Sequence, residues 1–164
     1  MAFYFTPSGR LLALITRAHI RLYEATDGRV GAWLPQLSEG RSRFPVRRMH
    51  ALLLTTRGRK TGLARTVALP YFDLAGRRIL VASFAGNAKN PAWYDNLCAN
   101  PRVRVRVGRD TADADAEVLT GDERERFFAL LTEQWPRYAV YQSKTERTIP
   151  LVALVPVGDA AIRT

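Results

Sequence analysis

The feature that most constrains the fold is residues 102–107, Arg-Val-Arg-Val-Arg-Val, where cations and β-branched residues alternate with period two. Such a pattern suits an extended strand with one buried face, because a helix would scatter the valines around its circumference. Ala112, Ala114, Ala116 and Val118 continue the period beyond a turn near Gly108, which predicts a β-hairpin. With the turn centred between Arg109 and Asp110, Arg106 faces Asp113, Arg104 faces Asp115 and Arg102 faces Glu117. Each is a cross-strand pair of opposite sign, so these arginines are neutralised and withdrawn from any argument for nucleic acid.

Three compact apolar runs, residues 49–56, 67–74 and 78–84, read as further strands of a meander, the last two separated by Ala75-Gly76-Arg77. Residues 91–100 read as a helix with Pro91 in its first turn, Trp93, Leu97 and Cys98 on one face, and Pro101 as its stop. Thr120-Gly-Asp-Glu123 has capping-box spacing and opens a helix with Phe127, Leu130, Leu131 and Gln134 on one side, ending near Trp135-Pro136. A short aromatic helix over 138–144 leads to a last strand over 149–155. Upstream, Leu11, Leu12, Leu14, Ile15, Ala18 and Leu22 recur at helical spacing behind Ser8, with Arg10, Arg17 and Arg21 elsewhere on the surface. Residues 1–48 are therefore an amphipathic helix and connector, and 49–157 a cofactor-sized α+β domain, one globular unit in all. Six strands with helices inserted between them suggest a small antiparallel barrel or roll.

The net charge of +10 calls for a partner or an explanation. Its distribution is uneven: residues 1–109 carry 19 basic and 5 acidic side chains, whereas 110–164 carry 6 and 10. Residues 41–65 hold eight cations and no acid, so an anion belongs there. Within that stretch, Thr55-Thr-Arg-Gly-Arg-Lys-Thr-Gly62 leaves a strand through two glycines, with Arg57, Arg59 and Lys60 for charge, Thr61 for a hydroxyl, and backbone N–H groups for an anion. It is built like a phosphate clamp but is not a Walker A loop, which requires Gly directly before the Lys, where this chain has Arg59. His19, His50 and Cys98 give no metal-ligand spacing, and neither histidine sits in a nucleophile-elbow motif, so metal and triad chemistry are not expected. A single cysteine, no long apolar run and no signal-peptide pattern suggest a cytoplasmic protein.

Several motifs in order also carry a family resemblance. Leu53-Leu-Thr-Thr-Arg-Gly-Arg-Lys-Thr-Gly-Leu-Ala-Arg65, the run from Val81 to Leu97, Ala99-Asn-Pro-Arg-Val103, and Trp135-Pro-Arg-Tyr138 through Tyr141-Gln-Ser to Arg147-Thr-Ile-Pro150 resemble the deazaflavin-dependent nitroreductases of actinobacteria. The likeness spans roughly residues 15–156. It implies a split antiparallel β-barrel with peripheral helices, coenzyme F-420 as hydride carrier, and a small lipophilic acceptor such as a quinone or nitroaromatic compound. By the same resemblance, Arg59, Lys60, Thr61, Gly62 and Arg65 hold the phosphate and acidic tail. Ala82, Ser83, Trp93, Tyr94 and Asn96 would lie near the ring. Trp135, Tyr138 and Tyr141 would form a flexible acceptor wall, with Tyr138, Tyr141 or Ser83 supplying a proton or hydrogen bond. Phe84, where relatives often carry Lys, and Ala68-Leu69-Pro70 depart from the family pattern. An FMN-using barrel and a nucleic-acid-binding barrel are the alternatives. The basic helix over 8–26 is expected to touch anionic membrane or to pack on the barrel, and a homodimer is admissible.

Overall fold

The computed structural model describes residues 18, 20–26 and 50–158, so the expected connector over 27–48 lies outside the described residues. Six strands, β1 (His50–Arg57), β2 (Ala64–Leu74), β3 (Arg77–Val81), β4 (Arg102–Val107), β5 (Asp110–Val118) and β6 (Leu151–Pro156), close into a barrel in the order β1-β2-β3-β6-β5-β4. Every pairing is antiparallel. Helix α1 (Ala92–Ala99) lies between β3 and β4, and α2 (Gly121–Gln134) and α3 (Arg137–Ser143) between β5 and β6.

The period-two pattern fills the barrel from within: Leu52, Leu54, Tyr71, Leu80, Val103, Val105, Ala114, Ala116, Val152 and Leu154 form one buried cluster. Part of the outer surface is covered as well. Phe72, Leu74, Ile79, Leu151 and Ala153 turn outward and are buried against Phe127 and Leu131 of α2 and Tyr138 of α3. A strand covered on both faces needs no polar alternation, which is why β6 is a continuous apolar run.

The two ends of the barrel are closed differently. At the Thr56 end, α1 sends Trp93 and Leu97 into the inner core, where they are 8% and 1% exposed. At the opposite end the buried Tyr23 hydroxyl donates to Ala51 O at 2.9 Å and accepts from Gly108 N at 3.1 Å. The helical residues 20–25 therefore dock through Tyr23; of the expected apolar stripe, Ala18 and Leu22 are exposed, and Leu11, Leu12, Leu14 and Ile15 lie outside the described residues. No described helix is long and apolar enough to cross a membrane.

Three local expectations need correction. The hairpin turn is centred one residue earlier than expected, at Gly108-Arg109, so Arg102 faces Asp115, Arg104 faces Asp113 and Arg106 faces Thr111. Gly108 has φ +58, and two-residue hairpins place glycine where positive φ is required. The register moves by two residues, which keeps every side chain on its predicted face. Arg102 and Arg104 consequently still meet acids, at 2.7 and 3.1 Å, while Glu117 is released to Arg77. Strand β3 ends at Val81 rather than Phe84, because the chain then enters a left-handed turn. Thr120 does occupy the N-cap of α2 but its side chain makes no capping bond, and Glu123 pairs with Arg77 instead.

Candidate cofactor site

The basic turn between β1 and β2 is a closed structure. Gly58 N donates to Leu63 O at 2.8 Å, Gly62 N and Thr61 N donate to Gly58 O at 2.8 and 3.3 Å, and Leu63 N reaches Thr61 Oγ1 at 3.4 Å. Arg59 N donates to Asn96 Oδ1 at 3.1 Å, and Asn96 Nδ2 donates to Thr56 Oγ1 at 3.3 Å. Of the loop N–H groups expected to meet an anion, those of Gly58, Arg59, Thr61, Gly62 and Leu63 are therefore engaged within the protein. The cationic side chains carry the anion-binding capacity: Arg57, Arg59, Lys60 and Arg65 are exposed around this turn, with the Arg57 guanidinium beside Gly62. Free of acids in sequence, the stretch is not so in space, since Arg59 pairs with Asp95 of α1 at 3.2 Å. Both side chains are more than one-third exposed, so the pair is weak.

Helix α1 relates this turn to the other candidates. Asn96 is 7% exposed and braces the loop, which gives it a scaffolding contact beside the ring-edge one expected of it. Trp93 is core. Tyr94 packs edge-on against Trp93 at a centroid distance of 6.2 Å. Desolvation, a hydrogen bond with Cys98 and the nearby Cys98 and Asp95 charges push its phenol up to about 12, with Arg147 opposing. Tyr94 is thus a neutral phenol at physiological pH.

On the other side of Tyr94 lies an unusual turn. Ala82 is fully buried and its N–H donates to Pro150 O at 3.0 Å; Ser83 is half-buried. Then Phe84, Ala85 and Gly86 take φ values of +45, +54 and +80. Left-handed backbone costs a non-glycine residue about 1–2 kcal/mol, and Phe84 additionally holds its ring 54% exposed. Gly86 is required, because a Cβ there would lie 2.6 Å from Tyr141 O and 2.8 Å from Lys144 Cβ.

The aromatic row exists but faces inward. Trp135 caps α2 in non-helical geometry, so it does not prolong the face of α3. Phe72 gathers Trp135 and Tyr138 edge-on at 4.6 and 5.3 Å, and Tyr138 meets Tyr141 at 5.6 Å. Tyr138 is 4% exposed and belongs to the outer core, not to a flexible wall; Trp135 and Tyr141 on either side of it are half-buried.

Three residues that sequence reasoning did not single out hold this region together. Arg124, 6% exposed, donates to Ile149 O and to Gln142 Oε1, and its guanidinium stacks 4.1 Å from the Phe128 ring. Gln142 also accepts from Ile149 N at 2.9 Å and donates to Arg147 O at 2.8 Å. Arg147 in turn donates to the carbonyls of Ala82, Ser83 and Asn87. Charged residues in polar runs read as solvated surface, so neither arginine was given a role, although Arg147 opens one of the motifs that carry the resemblance.

The F420H(2)-dependent quinone reductase family model matches residues 15–156. An F420H(2)-dependent quinone reductase of Mycobacterium tuberculosis is 34% identical over 143 residues, 85% of this chain and 89% of its own. A solved F420-H2 dependent reductase is 42% identical, with TM-score 0.57 over 63% of this chain and 92% of that one. Another solved structure, described as a domain-swapped dimer, is 33% identical, with TM-score 0.59 over 88% and 98%. On the breadth of this match and the shared split barrel, the chain belongs to the F420H(2)-dependent quinone reductase family and is an oxidoreductase that uses coenzyme F-420.

Proposed function

We propose that the chain holds F-420 between the basic β1–β2 turn and the left-handed turn after β3, and presents it to a lipophilic quinone. The observation that carries this reading is α1, which braces the basic turn through Asn96 and places Tyr94 beside Arg147 and the left-handed turn. The donor set suits the cofactor: a phosphodiester and a glutamate tail match Arg59, Lys60 and Arg65, with the Thr61 hydroxyl beside them. Bound reduced F-420 supplies the hydride. The protein's own residues fix its position and exclude water. Ala82 and Ser83 form the backbone edge on the ring side, and the neutral Tyr94 phenol offers a hydrogen bond. Tyr141 lines the acceptor side, backed by Tyr138 and Trp135. A nitroaromatic compound is a second admissible acceptor, and the relative described as a domain-swapped dimer supports a homodimer.

The cofactor half of this reading is tested by binding. Replacing Lys60 and Arg59 by Ala should weaken F-420 affinity about 10- to 100-fold, as expected for loss of charge-assisted bonds to phosphate. Asp95→Asn should strengthen it, because Arg59 is released from its acid. Fluorescence titration at two salt concentrations measures both, and unchanged affinity in the double variant removes the clamp from the cofactor site.

We further propose that the basic segment over 8–26 touches anionic membrane, since among its described residues Leu22 and Ala18 are exposed while Tyr23 docks. Full-length protein should co-sediment with phosphatidylserine vesicles, and a form with Leu22→Glu should do so less. Equal sedimentation would assign this helix to packing alone.

A further inference from the structure

Arg147 follows the polar run after α3 and lies outside every residue set assigned to cofactor or acceptor above. Its guanidinium nevertheless makes the most concentrated set of contacts near the ring-side edge. Nη2 donates to Ala82 O at 3.0 Å and Ser83 O at 2.8 Å, and Nε donates to Asn87 O at 2.8 Å. These carbonyls flank the three consecutive positive-φ residues, Phe84, Ala85 and Gly86. A segment with two non-glycine residues in left-handed conformation persists only where its surroundings over-determine it. Within the turn itself, Gly86 N donates to Ser83 O and Asn87 N to Phe84 O; the remaining restraint is Arg147 on one side and the close approach of Tyr141 O to Gly86 on the other.

The backbone of Arg147 is fixed too. Its carbonyl accepts from Gln142 Nε2, and Gln142 is held by Arg124. A rigid path therefore leads from the buried face of α2 to the turn. Burial lowers the Arg147 guanidinium from its ordinary range, with the neighbouring Tyr94 opposing, so the group faces Tyr94 as well as the turn.

We propose that Arg147 is a positioning residue for hydride transfer: its planar fork holds the Ala82–Asn87 backbone in the left-handed form that shapes the ring-side edge. Lysine cannot replace it, because a point-like ammonium lacks the fork needed to engage three carbonyls at fixed angles. The proposal rests on the hydride-transfer reading above, but its first test does not need the cofactor.

In cofactor-free protein, Arg147→Lys and Arg147→Gln should each raise amide hydrogen exchange at Gly86 and Asn87 about tenfold or more, while Phe127 to Leu131 of α2 exchange as in wild type. With F-420 and 2-methyl-1,4-naphthoquinone, kcat should fall about 100-fold, the loss expected when reacting groups are misplaced by about an ångström, and F-420 affinity should stay within about threefold. Because Ala85 is exposed at φ +54, Ala85→Gly relieves strain directly; added to Arg147→Lys, it should slow exchange at Gly86 and recover part of the kcat. If Arg147→Gln does not fold, the Arg147→Lys pair with and without Ala85→Gly still decides. Wild-type exchange at Gly86 and Asn87 in Arg147→Lys, or Ala85→Gly without effect in that background, overturns the proposal. Failure of wild type to bind F-420 would instead overturn the functional reading and leave the exchange result standing.

Discussion

Gly86→Val should leave the barrel folded but strip it of quinone turnover. A side chain there meets Tyr141 O at 2.6 Å and Lys144 Cβ at 2.8 Å, and neither is the far end of a flexible side chain. A β-branched residue at φ +80 adds backbone strain. Either the turn after β3 or the end of α3 must retreat, and both border the proposed acceptor space. Strain and overpacking together cost about 2–4 kcal/mol, which for a chain of this size lowers Tm by roughly 5–15 °C. Turnover should fall at least about 100-fold by misplacement, with F-420 affinity weakened far less, because Arg59, Lys60 and Arg65 are untouched. Thermal denaturation paired with cofactor titration separates these effects, and a Gly86→Val protein with near-normal kcat would show that the contact between turn and α3 is irrelevant to the reaction.

The largest effect on stability should come from Arg124→Met. The substitution preserves most of the volume that stacks on Phe128 but removes the donors to Ile149 O and Gln142 Oε1. Those acceptors are left in a site where Arg124 is only 6% exposed. Leaving those two buried acceptors without a donor costs about 1–3 kcal/mol for each, so the urea midpoint should fall by about 1–3 M if m is near 2 kcal/mol/M. Arg124→Lys should recover less than half of this, because one ammonium cannot reach the carbonyl and the amide with the same geometry. A midpoint within about 0.3 M of wild type in Arg124→Met would reduce the network to a surface feature.

The features legible in sequence were those written in periodicity. The alternation of Val103, Val105, Ala114 and Ala116 specified which face of the hairpin is buried, and that assignment survived a two-residue change of register. The capping position Thr120 and the stops at Pro101 and Trp135-Pro136 gave helix boundaries for the same local reason. The basic character of residues 57–65 was equally plain. What could not be read was long-range partnership. That Asn96 braces Arg59 N and Thr56 is written nowhere near it in the chain. Tyr138 and Tyr141 share an aromatic stripe, but a stripe does not say whether it faces core or solvent; Phe72, 66 and 69 residues away in sequence, decides that. Arg124 sits in Asp122-Glu-Arg-Glu-Arg126, a run that resembles solvated surface, and its burial depends on a carbonyl at Ile149.

The hairpin shows where fold information is stored. Its two strands form a ladder of repeated sign, Arg at every second place on one side and acid at every second place on the other. A repeat with that period cannot distinguish one alignment from its neighbour two residues away, so the charges are redundant: they state that the strands belong together but not where. The alignment is written once, in Gly108. Sliding to the neighbouring alignment would set an acid opposite Arg106 as well, yet it would call Glu117 back from Arg77 and so break the ion pair that ties β5 to the start of β3. A single turn residue thereby sets the address at which two halves of the barrel are joined.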